Sequence, residues 1–125
     1  MSRPSCRILL VEDEFLVSFM IENMLADLGH QLTAVADRVE EALQTAINGI
    51  FDLALLDLTL AGTTTYPVAE MLRRRGIPFA FLTGHDPGDV ETDYAGVPIL
   101  QKPFRRDGLA GIISRLVTEC RLSAD

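Results

Sequence analysis

Phe51-Asp-Leu-Ala-Leu-Leu-Asp-Leu-Thr-Leu60 is an apolar run with a carboxylate, Asp57, near its end. Five of the six residues from Leu53 to Leu58 are apolar, a pattern typical of a strand that is covered on both faces in a parallel sheet. Such a strand ends at the carboxyl edge of the sheet, where ligands and chemistry are found in open α/β folds. Asp57 is therefore the centre of a candidate site.

Apolar runs of strand length alternate with helical patterns along the rest of the chain. Predicted strands cover residues 6–11, 31–36, 77–82 and 97–101, and predicted helices cover residues 15–28, 39–47, 67–75 and 104–122. Residues 61–65 are predicted to form a loop, and residues 85–96 are expected to be the most mobile segment because they are rich in Gly, Pro and Asp. Five strands that alternate with helices predict an α/β fold, a five-stranded parallel sheet with helices on both faces.

The apolar residues of the first and last predicted helices recur at spacings of three and four, which predicts one buried face on each helix. For the first helix this face is Phe15, Leu16, Phe19, Met20, Met24, Leu25 and Leu28, and for the last it is Leu109, Ile112, Ile113, Leu116 and Val117. His30 follows a predicted helix stop at Gly29 and is expected at the surface.

Length and composition narrow the class of protein. A chain of 125 residues is expected to form a single domain, residues 1–125, with no effector domain after it. The net charge of −7 argues against nucleic acid as a partner. No apolar run reaches the ~20 residues that a membrane helix needs, and residues 1–6 lack a signal-peptide core, so we expect no membrane insertion and a cytoplasmic location. Cys6 and Cys120 are predicted to be reduced thiols.

Polar residues follow four of the five predicted strands, where the carboxyl edge of the sheet would bring them together. They are Glu12 and Asp13 after the first strand, Asp57 on the third, Thr83 after the fourth and Lys102 after the fifth. Three carboxylates alone would repel one another, whereas a divalent cation removes that conflict. Magnesium prefers one or two carboxylates, keeps several waters and accepts phosphate oxygens.

With a metal present, Asp57 can act as a nucleophile towards a phosphoryl group. The ammonium of Lys102 and the hydroxyl of Thr83 would then neutralise and position the transferring oxygens. Each residue also has a structural interpretation, since Glu12-Asp13-Glu14 is also typical of an acidic first helix turn. The joint placement of all five residues favours the chemical interpretation.

These residues together closely resemble the receiver domain of two-component response regulators. The resemblance rests on the acidic pair Glu12-Asp13, on Asp57 within Leu-Leu-Asp-Leu, on Thr83 and on Lys102-Pro103-Phe104, and it covers essentially the whole chain. It implies a flavodoxin-like sheet of order 2-1-3-4-5 and phosphorylation of Asp57 by the histidine of a sensor kinase. It also implies Mg²⁺ held by Asp13, Asp57 and the Thr59 carbonyl, with Glu12 acting through water, and Thr83 and Lys102 as switch and catalytic residues.

The resemblance further implies partners. A sensor histidine kinase would supply the phosphoryl group, and a downstream signalling protein or a histidine phosphotransfer protein would receive the signal unless the chain only drains phosphate from a shared kinase. Tyr94 and the face formed by Ile99 and the last helix are candidate contacts for a partner or for a second copy in a homodimer. No enzyme activity is expected beyond the chain's own phosphorylation and dephosphorylation.

Two positions depart from the usual receiver pattern. Ile99 stands three residues before Lys102, where receivers usually carry Tyr or Phe, and Ala61-Gly62 occupies a loop that usually contains proline. Phe-Leu-Thr-Gly-His85 resembles the motif of the stand-alone "FAT GUY" receivers, which also lack that aromatic residue. In such a chain Thr83 and residues 85–96 would have to carry the signal, and His85 is a candidate modulator of dephosphorylation.

Three alternatives remain open at this point. A phosphatase of the haloacid dehalogenase type also uses an aspartate nucleophile, Thr, Lys and magnesium, but it places a second Asp where this chain has Thr59. A receiver-shaped binding module that is never phosphorylated would explain the missing aromatic residue. A flavin carrier is disfavoured because Glu12-Asp13-Glu14 occupies the loop that would have to bind phosphate.

Overall fold

The computed structural model describes residues 5–84 and 90–124, with side chains up to residue 119 in the last helix. Five parallel strands form the main sheet in the order β2-β1-β3-β6-β7, with β3 at its centre and fully buried. These strands are β1 (Arg7–Val11), β2 (Gln31–Ala36), β3 (Leu53–Asp57), β6 (Phe79–Thr83) and β7 (Ile99–Gln101). Two short strands, β4 (Thr59–Leu60) and β5 (Thr63–Thr64), lie outside this sheet. The predicted order 2-1-3-4-5 is confirmed once these two strands are left out of the numbering.

Helices cover both faces of the sheet, as predicted. The main helices are α1 (Phe15–Asp27), α2 (Val39–Asn48), α3 (Tyr66–Arg75) and α4 (Arg106–Ala124). Side chains alternate along β1, so that Leu9 and Val11 join the core beneath α2 and α3, whereas Ile8 and Leu10 join the core beneath α1 and α4. The predicted face of the last helix is confirmed, since Leu109, Ile113 and Leu116 are buried. None of the helices in the described ranges is long and apolar enough to cross a lipid bilayer.

The predicted buried face of α1 is wrong in part. Leu25 is buried, but Phe15, Leu16 and Phe19 are 78%, 78% and 55% exposed. Ile21, which the predicted face omits, is fully buried with Leu25 against the sheet. Because α1 carries apolar residues around most of its circumference, its periodicity alone does not determine which side faces the core.

The predicted loop after the central strand is a hairpin. Its strands are β4 (Thr59–Leu60) and β5 (Thr63–Thr64), which pair antiparallel. Both turn residues have positive φ, 47° at Ala61 and 84° at Gly62. Positive φ at two central residues is the geometry of the tight turn that matches strand twist, and it is rare for a residue with a side chain such as Ala61.

Two further predictions concern residues outside the sheet. Residues 85–89, including His85, lie outside the described residues, and beyond them Thr92–Tyr94 forms one turn of 3₁₀ helix. His30 is half-buried rather than fully at the surface, and its Nδ1 accepts a hydrogen bond from the backbone N–H of Cys6 at 3.1 Å. Burial lowers the pKa of His30, in agreement with a neutral imidazole that accepts this bond.

Candidate functional site

The carboxyl edge of the sheet contains a cavity of about 340 Å³ beside the end of β3. The residues that line it come from the ends of β1, β3, β6 and β7, which are neighbours in the sheet although they are distant in sequence. They are Asp13, Glu14, Asp57, Leu58, Thr59, Thr83, Gly84 and Lys102. Glu12 lies next to this cavity, with a fully buried side chain that contacts Lys102. The structure therefore brings all of the predicted site residues together.

Four carboxylates are concentrated in this site. One oxygen from each of Glu12, Asp13, Glu14 and Asp57 can be chosen so that all four lie within 4.8 Å of one another. Burial raises the pKa of Glu12 to about 7, against the opposing effects of hydrogen bonds from Lys102 and from the backbone N–H of Glu14. A cluster this dense favours either a bound proton or a bound cation.

Lys102 provides the positive charge in the site. Its Nζ donates to Glu12 Oε1 at 2.7 Å and to Asp57 Oδ2 at 3.3 Å, and it lies 3.5 Å from Glu14 Oε1. Burial alone lowers the pKa of Lys102, but the hydrogen bond with Glu12 and the charges of Asp57 and Glu12 raise it above its usual value. Lys102 is therefore held as an ammonium ion beside Asp57.

Thr83 ends β6 at the same edge and is 1% exposed. Side chains alternate along a strand, so Thr83 lies on the same side of β6 as Phe81. Phe81 contacts Tyr66 and Tyr94 edge-on, with ring centroids 5.8 and 5.7 Å apart, and is paired in the sheet with Ile99. The aromatic side chains that contact Phe81 thus come from α3 and the 3₁₀ turn rather than from β7.

Three contacts in the site were not anticipated from sequence. Glu14 belongs to the carboxylate cluster, the backbone N–H of Ala61 donates to Asp13 Oδ2 at 3.1 Å, and the hydroxyl of Thr65 donates to the backbone carbonyl of Asp57 at 2.7 Å. Glu14 was visible as part of the acidic triplet. The other two depend on the hairpin, for which the sequence contains only the weak signal of a glycine among threonines.

The donor set fits a hard divalent cation. Carboxylate oxygens are the ligands that Mg²⁺ prefers, and an open cavity leaves room for the waters that it retains. Cysteine and histidine ligands, which would favour zinc or another transition metal, are not part of this cluster in the described residues.

This chain is similar in sequence to several bacterial regulatory proteins and similar in structure to several solved proteins. The transcriptional regulatory protein DltR of Streptococcus agalactiae is 31% identical over 108 residues, which cover 82% of this chain and 48% of DltR. The chain spans about half the length of the curated relatives it matches. Among solved structures, SdrG from Sphingomonas melonis Fr1 is 39% identical with a TM-score of 0.81, and the match covers 90% of this chain and 97% of that one.

Another similar structure contains a metal. It is the receiver domain of the sensor histidine kinase PA1611 from Pseudomonas aeruginosa, with a magnesium ion coordinated in its active site cleft. This domain is 28% identical with a TM-score of 0.75, and the match covers 92% of this chain and 99% of that one. The family model described as "Response regulator receiver domain" matches residues 8–114. The chain therefore belongs to the receiver-domain family of two-component response regulators, and its sheet order and its cluster of carboxylates agree with this assignment.

Proposed function

We propose that Asp57 accepts a phosphoryl group from the phosphohistidine of a sensor histidine kinase in a Mg²⁺-dependent reaction. The observation that carries this proposal is the position of Lys102 Nζ, 3.3 Å from Asp57 Oδ2 and within the carboxylate cluster. The haloacid dehalogenase alternative is set aside, because the family match is to receivers and Thr59 replaces the second aspartate that such a phosphatase needs.

The residues divide the chemistry among them. A carboxylate oxygen of Asp57 attacks phosphorus, a P–O bond forms as the P–N bond of phosphohistidine breaks, and the electron pair returns to the imidazole nitrogen. Lys102 neutralises the negative charge that reaches the phosphoryl oxygens, and the Thr83 hydroxyl donates to one of them. Water later attacks phosphorus, which releases inorganic phosphate and restores the Asp57 carboxylate.

The metal would be held by residues of the same edge. Asp13, Asp57 and the Thr59 carbonyl are the proposed ligands, and Glu12 acts through a water molecule. A bound Mg²⁺ supplies charge neutralisation for the carboxylates and for the incoming phosphoryl oxygens. The magnesium ion in the cleft of the related PA1611 receiver domain supports this assignment.

The exposed face of α1 is the proposed docking surface for the histidine-bearing domain of the kinase. A groove of about 280 Å³ beside this face is lined by Phe15 and Phe19 together with Asp13. Asp13 also lines the cavity that contains Asp57, so the groove and the site lie next to each other. An apolar surface at the mouth of an otherwise acidic site suits a partner that brings one phosphohistidine to Asp57.

Replacing Phe19 by Ala is expected to slow phosphoryl transfer from a cognate kinase about tenfold or more while leaving transfer from a small donor such as acetyl phosphate unchanged. The reason is that the change removes exposed apolar contact area without touching the acidic site. Transfer rates from both donors measure this. Ile50→Ala, at an apolar residue that is 73% exposed outside this groove, is the matched control. Equal slowing with both donors would contradict the docking assignment.

We further propose that residues 1–125 act as one receiver unit that signals by contact with a downstream protein or histidine phosphotransfer protein, or that drains phosphate from a shared kinase. On this proposal the chain catalyses only its own phosphorylation and dephosphorylation.

The central test uses acetyl phosphate with and without Mg²⁺. One phosphoryl group per chain is expected with the metal and essentially none when EDTA removes it, because an unneutralised acidic cluster repels the donor. Intact-protein mass measures the addition. Hydroxylamine should remove the group, since an acyl phosphate reacts with it and a serine or threonine ester does not. A properly folded chain that bears no label with any donor would instead favour the phosphorylation-independent binding module.

A further inference from the structure

Thr65 places a buried hydroxyl against the backbone of the proposed phosphoryl acceptor. The residue is 0% exposed, and its Oγ1 lies 2.7 Å from the carbonyl oxygen of Asp57 and 3.3 Å from that of Leu58. Its backbone N–H also donates to the Leu58 carbonyl at 3.0 Å. One residue thus contacts the two peptide groups that follow directly on β3.

The position of Thr65 in the sequence would ordinarily give its hydroxyl a different partner. Thr65 is the N-cap of α3, and its carbonyl accepts from the N–H groups of Val68 and Ala69. Threonine at an N-cap usually accepts a hydrogen bond from the first helical turn through its side chain. No such side-chain bond is present here. The hydroxyl is committed to the turn after Asp57 rather than to its own helix.

The same turn is held from two other directions. The N–H of Leu58 donates to the carbonyl of Leu82 at 2.8 Å, which fixes the turn to β6. On the far side, the tip of the hairpin donates from Ala61 N–H to Asp13 Oδ2 at 3.1 Å. The side chain of Thr65, which directly follows β5, connects the end of the hairpin to the backbone carbonyl of Asp57 at the end of β3.

We propose that Thr65 is a positioning residue for phosphorylation. Its hydroxyl fixes the orientation of the main chain from Asp57 to Thr59, and with it both the Asp57 carboxylate and the Thr59 carbonyl. This inference rests on the proposed function. It assigns part of the support of this loop to the hydroxyl of Thr65, in a loop that contains Ala61-Gly62 and no proline.

The adjacent threonines provide a matched experiment. Thr65→Val keeps the shape of the side chain and removes only the hydroxyl, whereas Thr64→Val makes the same change at an exposed position of β5. Thr65→Val is expected to lower the maximal rate of labelling by acetyl phosphate about tenfold to a hundredfold and to raise the Mg²⁺ concentration for half-maximal rate. Thr65→Ser should restore both values to within about twofold, and Thr64→Val should not change them.

Amide hydrogen exchange of the metal-free, unlabelled protein is the second readout. Exchange at Leu58 should accelerate in Thr65→Val while amides of β1 keep their wild-type protection, because the loss is confined to the turn. Uniformly faster exchange together with unchanged labelling of the folded fraction would indicate a merely structural role and overturn the proposal. If Thr65→Val does not fold, Thr65→Ala and Thr65→Ser are compared at low temperature by the same criteria.

The labelling results also separate the two proposals. Absence of a phosphoryl label on the wild-type protein would refute the proposed function. A wild-type protein that is labelled, together with a folded Thr65→Val that is labelled at the same rate, would refute only the role of Thr65.

Discussion

Asp57→Asn is expected to abolish phosphoryl incorporation from any donor while the fold is retained. The substitution keeps the size and most of the hydrogen bonding of the side chain but removes the nucleophilic carboxylate. The Asp57 side chain lies at the end of β3 beside Lys102 and is largely buried. Intact mass after exposure to acetyl phosphate and Mg²⁺, together with the circular dichroism spectrum, checks both parts of this expectation.

Asp52→Asn is the control for this experiment. Asp52 precedes the same strand at the opposite edge of the sheet, where it forms an ion pair with Arg7 at 3.1 Å. Its hydrogen bond with Arg7 holds the pKa of Asp52 below its usual value, so this carboxylate is ionised at neutral pH. Asp52→Asn should take up one phosphoryl group as wild type does. Equal labelling of Asp57→Asn and wild type would refute the assignment of the acceptor.

Lys102→Met is expected to slow labelling by a small donor about a hundredfold or more, with little change in the fold. The substitution retains the length of the side chain but removes the ammonium that would neutralise charge on the phosphoryl oxygens, and removing one such donor from an enzyme site typically costs a factor of this size. The fold should survive because Glu12, whose pKa is already raised to about 7, can take up a proton when its partner is lost. Labelling rates and thermal unfolding measure the two effects.

Two variants show whether charge or geometry matters at this position. Lys102→Arg keeps the positive charge but replaces a compact ammonium by a broad planar group, so an intermediate rate is expected. Arg105→Met removes a cation from an exposed position three residues further along the chain and should leave the rate unchanged. A wild-type labelling rate in Lys102→Met would mean that the metal alone supplies the charge neutralisation.

The fold class could be predicted from hydrophobic pattern, because buried strands and amphipathic helices leave different periodicities in the sequence. The residues at the strand ends could also be predicted, since parallel strands all present their carboxyl ends to one edge. The strand order and the roles of individual residues came from the family resemblance instead. Glu12, Asp57 and Lys102 therefore form a candidate site before any contact between them is measured.

The orientation of α1 and the hairpin at Ala61-Gly62 were not predicted correctly. In α1 both Phe19 and Ile21 are apolar, and only the position of the helix on the sheet determines that Ile21 is buried. In the hairpin, two residue pairs are too few to produce a recognisable alternation. Local pattern is insufficient in both cases because the deciding contacts are with distant parts of the chain.

The sequence by itself determined the alternation of strands and helices and the set of polar residues at one edge, since both follow from periodicity and chain direction. Only the tertiary structure decided which of these residues touch and what each contact does. Lys102 and Glu12, 90 residues apart, meet at 2.7 Å because β7 and β1 end at the same edge. The hydroxyl of Thr65 binds the Asp57 carbonyl instead of the first turn of α3 because the hairpin returns the chain to that point. Hydrogen bonds of this kind join residues that are distant in sequence. Tertiary packing determines which of them meet, and the local sequence pattern does not show it.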